Sequence, residues 1–338
     1  MKRTLLLLLL SAVLLAAGCG GDDGDAGSGG SITVYSGREE ELVAPLFEGF
    51  TEETGIEVDV RYGDSAELAA TIAEEGDNSP ADVFFAQDPG SLGSVEGQLA
   101  ELPEGTLGRV DERFRDGAGK WVGTSGRVRV IAYNTEALSE DEVPDSVFEL
   151  TDPRWKGKVG IAPTNASFQA FVTAMRETVG DERTRQWLEG MKANDAQVYE
   201  RNTPIVEAVA SEEIELGLVN HYYLALVKEE QPDAPVANKY LPGDDPGALV
   251  STAGVAVLVS SDDREAGKRF VDYLLSEEGQ RFYAEEAEEA EYPLVDGVEP
   301  KEGLPALDSL QGPEVELDSF GEQLEATLEL LSETGWTT

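Results

Sequence analysis

The 338 residues include 68 aspartates and glutamates against 25 lysines and arginines, a formal net charge of −43. A body that acidic repels nucleic acid and anionic lipid, which sets both aside as partners. The single cysteine excludes an intramolecular disulfide.

Met1-Lys2-Arg3 is a basic start, followed by Thr4 and an apolar run to Ala17 that is too short to span a bilayer comfortably. That pattern reads as a secretory signal. It ends in Leu15-Ala16-Ala17-Gly18-Cys19, which resembles a bacterial lipoprotein signal. Residues 1–18 are then cleaved, and Cys19 becomes the lipid attachment point; the alternative is a cysteine discarded with the signal. Residues 19–30 are small and polar, with nothing to bury, and form a flexible tether. The expectation is an exported chain, lipid-anchored to the outer face of the cytoplasmic membrane and touching it only through that anchor. The remainder is long enough for two lobes with separate cores.

A strand over 31–36 leads at Gly37 into a helix with Leu42, Val43, Leu46, Phe47 and Phe50 at helical spacing. Ser36-Gly37-Arg38-Glu39 fits a capping box. A strand over 56–60, a helix over 66–72 and a strand over 81–85 follow, the last running into the loop 86–90. This β-α-β-α-β opening predicts a parallel sheet with helical crossovers. Next comes a long strand over 127–134, with Arg127 and Arg129 at period two; one of the two is expected to face the cleft. A second series has a strand over 159–162, helices over 167–178, 182–191 and 204–210, and a strand ending at Asn220. A buried strand over 253–259, helices over 265–275 and 278–287, and an amphipathic segment over 317–331 complete the chain. Crossovers near 128–134 and 250–257 predict a hinged clamshell with ligand between its lobes. Lobe one takes 31–130 and 253–300; lobe two takes 131–252 and 301–338.

Tyr222 and Tyr223 stand where the apolar strand Ile214, Leu216, Leu218, Val219 gives way to a helix. Strand ends facing a cleft are where open α/β sheets hold ligands. A phenol is ordinarily neutral, with a pKa near 10. Beside a highly charged cation it loses its proton and becomes a hard oxygen anion. The pair is therefore either a site for a hard trivalent metal, iron(III) above all, or one packed ring beside one surface ring.

Ile32-Thr33-Val34-Tyr35-Ser36-Gly37-Arg38, Ser79-Pro80-Ala81-Asp82-Val83-Phe84, 127–134 and Asn220-His221-Tyr222-Tyr223 resemble the ferric-iron-binding proteins of bacterial ABC transporters. The likeness runs from about residue 31 to 300. It implies the α/β type II periplasmic-binding-protein fold, two βα lobes joined by strand-like hinge crossovers, and no catalysis. It implies Fe(3+) as the bound metal, with Tyr222 and Tyr223 as ligands. Glu39 stands where some members place a histidine, and is either a third ligand or the capping-box glutamate. Gln87 stands where those members have a glutamate ligand, and an amide suits contact or orientation better than ligation. Asn165 stands where other members have a further tyrosine.

The resemblance also implies a synergistic anion, carbonate or phosphate. Backbone N–H groups at the helix start Asn165-Ala166-Ser167 would hold it, with Asn202 and Asn220 matching anion-contacting asparagines. Arg38, Arg127 and Arg129 would supply positive charge. The alternative for each asparagine is a turn or helix cap. The partners implied are the permease of an ABC importer and its ATPase, met by a monomer.

Against an enzyme, the single histidine, His221, has no partner acid or nucleophile pattern. A same-fold receptor for an oxyanion, polyamine or sugar is the second alternative. An oxyanion receptor has no need of the tyrosine pair, and the four tryptophans are too scattered to form a sugar platform. His221 is read as a spacer or hydrogen-bonding residue rather than a third ligand.

Overall fold

A computed structural model describes residues 30–286 and 290–337. The expected signal, Cys19, nearly all of the tether and the last residue of the helix expected over 278–287 lie outside the described residues.

The chain opens with β1 (Ser31–Ser36), α1 (Glu40–Thr54), β2 (Glu57–Tyr62), α2 (Ser65–Glu75), β3 (Val83–Ala86) and α3 (Pro89–Gly93). The short α4 (Glu104–Leu107) precedes β4 (Val122–Asn134), whose every residue is buried. The next series is β5 (Val159–Ile161), α5 (Ala166–Val179), α6 (Asp181–Ala193), β6 (Gln197–Val198), α7 (Asn202–Ala210), β7 (Leu216–Asn220), α8 (Tyr223–Glu230) and β8 (Val236–Lys239). After β9 (Val250–Val257) come α9 (Arg264–Leu274), α10 (Glu277–Arg281), β10 (Tyr292–Pro293) and α11 (Phe320–Glu333). A wider helical turn, Phe282–Glu286, continues α10.

Local chemistry accounts for these bounds. In α1 the five apolar residues at helical spacing are the five that are buried. The helix stops at Gly55, whose φ of 70° is left-handed and whose N–H bonds the Thr51 carbonyl. The expected capping box does not form. Glu39 takes the cap position with no side-chain bond, while Ser36 Oγ accepts from the Arg38 N–H at 3.2 Å. The Arg38 side chain turns inward to Glu291, and the helix begins only at Glu40.

The strands form one sheet in the order β2-β1-β3-β9-β4-β7-β5-β6, with β8 and β10 also on β4. The first three strands are mutually parallel, β9 runs antiparallel to both β3 and β4, and β5, β6 and β7 are parallel. β4 belongs to both halves. Up to Val128 it pairs with β9, and from Arg129 onward with β7. α11, expected within lobe two, packs on α3 of the first half as well as α5 of the second. A Cβ on Gly93 of α3 would lie 2.8 Å from the Gly321 Cα of α11, so the two helices meet glycine to glycine. No helix among the described residues is long and apolar enough to cross a membrane.

Candidate metal centre

The buried strand β7 delivers His221, Tyr222 and Tyr223 to the middle of the molecule, between the two halves. His221 is an anchor. Its N–H bonds the Val128 carbonyl at 2.9 Å, its Nδ1 accepts from the Val128 N–H at 3.2 Å, and its Nε2 donates to the Ala290 carbonyl at 2.8 Å. Those partners fix one neutral tautomer. Burial pushes its pKa down to about 4, against the opposing pull of Glu291. With both ring nitrogens engaged, His221 has no lone pair left for a metal.

In an extended strand two successive side chains point to opposite faces. Here the chain has already turned helical at Tyr222, with φ −72° and ψ −23°, and the neighbouring rings lie side by side. Their centroids are 4.2 Å apart, tilted by 34°, and the two hydroxyls are 3.0 Å apart. Both side chains are fully buried. Two oxygens at that separation can meet one cation.

The surrounding groups come from both halves. Gln87, just past β3, donates from Nε2 to Tyr223 Oη at 3.4 Å and accepts at Oε1 from Asn165 Nδ2 at 3.3 Å. Asn165 caps α5: its Oδ1 accepts from the Ser167 N–H at 3.1 Å, Ser167 Oγ at 2.6 Å and Asn202 Nδ2 at 3.2 Å. Ala166, the first residue of α5, is buried with them. Asn220 Nδ2 and Asn202 Oδ1 are buried with no hydrogen-bond partner among the described residues. Glu39 pairs with Arg201 at 3.4 Å, and both line a cavity of about 410 Å³ together with Gln87 and Asn165. Burial raises the Glu39 carboxyl above its ordinary value, against the pull of Arg201.

A model of the bacterial extracellular solute-binding proteins matches residues 78–309. The chain belongs to this family. Over 332 residues this solute-binding protein is 32% identical to the Fe(3+)-binding periplasmic protein of Serratia marcescens, covering 97% of the chain and 96% of the relative. Its fold superposes on iron-bound HitA from Pseudomonas aeruginosa with a TM-score of 0.86 at 34% identity, covering 90% of this chain and 99% of that one. The Trichodesmium protein FutA, solved with iron and citrate, gives a TM-score of 0.74 at 28% identity, covering 91% and 100%. The fold expected from the sequence is the fold observed.

Three buried arginines lie around the site in this solute-binding protein, and one of them, Arg127, contacts Tyr222. Arg129 Nη2 donates to the Leu218 carbonyl at 2.7 Å and Nη1 to Ser167 Oγ at 3.3 Å, over the rings of Phe168 and Phe171. Burial lowers its pKa to about 9, opposed by Tyr223 and Tyr222. Arg127 Nη1 comes within 3.5 Å of Tyr222 Oη, and its Nη2 pairs with Glu291 Oε1 at 2.8 Å. Arg38 Nη2 reaches Glu291 Oε2 at 3.1 Å, and Ser125 Oγ donates to the same oxygen at 2.7 Å. The expectation that only one of Arg127 and Arg129 faces the cleft is corrected: residues two apart in a strand share a face, Arg127 contacts Tyr222 Oη, and Arg129 lies near enough for its charge to act on both phenols.

Glu291 is the charged residue beside the site that the sequence reading missed, with Arg201 the second. Burial works against ionising Glu291, but Arg127, Arg38 and the Ser125 hydroxyl hold its carboxyl below the ordinary carboxylate value. Two of the three expected anion-site arginines are thus already paired with a protein carboxylate. The only sequence signal was its place ahead of the apolar run Tyr292-Pro293-Leu294-Val295. Among the described residues no group of three His, Cys, Asp or Glu side chains is placed to hold a metal.

Proposed function

We propose that this chain captures iron(III) outside the cytoplasmic membrane and delivers it to an ABC importer. The observation that carries the proposal is the buried pair of phenol oxygens 3.0 Å apart at the end of β7. Iron(III) displaces both phenol protons, and Tyr222 and Tyr223 bind it as phenolates. A synergistic anion, carbonate or phosphate, completes the coordination at the start of α5. It accepts from the backbone N–H of Ala166 and from Asn220 Nδ2, with Arg129 behind it. The relative solved with iron and citrate is a reminder that a carboxylate can serve as the anion. Glu39 supplies an oxygen from the first half. Gln87 is a contact across the cleft rather than a ligand, because its amide already bridges Tyr223 and Asn165.

The lobes, 31–130 with 253–300 and 131–252 with 301–338, close over the metal, and the closed form marks the loaded receptor for a permease and its ATPase. Cys19 anchors this monomeric receptor through lipid.

Adding iron(III) with bicarbonate to the purified protein should produce a visible phenolate-to-iron charge-transfer band. The variant carrying both Tyr222→Phe and Tyr223→Phe should fold and stay colourless. A band that persists in that variant defeats the assignment.

A further inference from the structure

Gln87 meets the second half through two long hydrogen bonds, one donated to Tyr223 Oη at 3.4 Å and one accepted from Asn165 Nδ2 at 3.3 Å. Bonds of that length have no slack, because donor and acceptor already stand at the outer edge of the ordinary range. Gln87 itself is held from both directions along its chain. Its backbone N–H donates to Ser65 Oγ at 2.9 Å, at the start of α2. The next residue, Asp88, caps α3: its Oδ1 accepts the Ser91 N–H at 2.9 Å and its Oδ2 the Ser91 hydroxyl at 2.7 Å. Gln87 therefore goes where α3 goes.

α3 rests on α11. A Cβ on Gly321 would stand 2.2 Å from the Gly93 carbonyl carbon, 2.3 Å from the Gly93 Cα and 2.7 Å from the Ser94 nitrogen. Backbone touches backbone there, so no side chain is available to yield. Further along, α11 is bonded to α5. Thr327 Oγ1 shares a hydrogen bond of 2.8 Å with Thr173 Oγ1, and both threonines are buried. Arg176 Nη1 donates to Thr327 Oγ1 at 2.9 Å and to the Gln323 carbonyl at 3.1 Å. One helix thus carries, on one side, the helix that follows Gln87 and, on the other, the helix capped by Asn165. Those are the two residues that meet across the cleft.

We propose that α11 is the spacer that sets this gap, with Gly93 and Gly321 as positioning residues of the metal centre: their contact fixes how near Gln87 comes to Tyr223 and Asn165. The effect on binding rests on the phenolate–iron reading above and adds to it a control point outside the cleft. Relieving a 2.2 Å contact to an ordinary carbon–carbon separation of about 3.5 Å takes about 1 Å of displacement. A shift of that size takes both Gln87 bonds out of range.

The test pairs iron affinity, measured by chelator competition with bicarbonate present, with amide hydrogen exchange of the metal-free protein. Gly321→Ala should lower affinity about tenfold or more, as when a group behind a metal ligand is lost. In a Gln87→Ala background the same substitution should change affinity less than about twofold, because residues acting through one contact are not additive. Without metal, Gly321→Ala should speed exchange of the Ser167 N–H, which is held by Asn165 Oδ1 on the far side of the gap. Gly279→Ala is the control. Its Cβ would meet the Tyr273 carbonyl oxygen at 2.4 Å, so it should cost stability while leaving affinity and Ser167 exchange unchanged. Should Gly321→Ala fail to fold, Thr327→Val serves instead; it keeps the shape, drops the hydrogen bonds to Thr173 and Arg176, and should give the same results. Unchanged affinity and exchange in a folded variant, an equal affinity loss with and without Gln87, or the same losses in Gly279→Ala, overturns the inference. Absence of a charge-transfer band in the unmodified protein removes the iron reading alone, and the exchange rates, which need no metal, then decide the role of α11.

Discussion

At the scale of single residues the proposed centre depends on two phenol oxygens set 3.0 Å apart. Each tyrosine alone should account for part of the charge-transfer intensity, so Tyr222→Phe and Tyr223→Phe singly should each weaken it. Losing one buried hydroxyl should cost only about 1 kcal/mol of stability, read by chemical denaturation of the metal-free protein. Glu39 is separable from its partner by a pair of variants. Its bridge to Arg201 is 57% exposed on the arginine side and 22% on the glutamate side, so the pair is worth under about 1 kcal/mol. If Glu39 ligates the metal, Glu39→Gln should lower iron affinity about tenfold or more while Arg201→Gln barely changes it. Equal small effects from both would leave Glu39 as an ion-pair residue only. Glu291 was invisible at this scale for a physical reason. As one of 68 acidic residues it has no local pattern, and its meaning comes from two arginines distant in sequence.

At the scale of elements, most of the architecture was legible because apolar periodicity is a local property. The helix around Leu42 to Phe50 and the strand ending at Asn220 were visible for that reason. β4 was read as beginning at Arg127, yet it starts at Val122. Gly123-Thr124-Ser125-Gly126 has no apolar alternation, and its two glycines lie close against neighbouring side chains: a Cβ on Gly126 would lie 3.1 Å from the Tyr292 Cβ. The capping box at Ser36 was legible and absent, overruled by the inward pull on Arg38. Gly217 of β7 is a tight point under the site. A Cβ there would come 2.4 Å from Ile205 Cγ2 on α7, the helix that starts with Asn202. Gly217→Ala should therefore cost about 1–3 kcal/mol by denaturant titration, and iron binding should weaken with it as α7 is displaced. Retained stability would mean that α7 yields without cost.

At the scale of the whole molecule, the net charge of −43 acts on stability rather than on the site. Like charges spread over one surface repel, and salt shortens their reach from about 30 Å at 0.01 M to about 3 Å at 1 M. The melting temperature of the metal-free protein should rise across that range; a flat or falling profile would mean that paired surface charges dominate. β4 has a consequence of its own at this scale. Because it leaves β9 at Val128 and joins β7 at Arg129, adjacent residues of one continuous strand are hydrogen-bonded into different parts of the sheet. Arg127 lies in the stretch paired with β9 and Arg129 in the stretch paired with β7. A twist of the strand at that joint would turn the first guanidinium relative to the second.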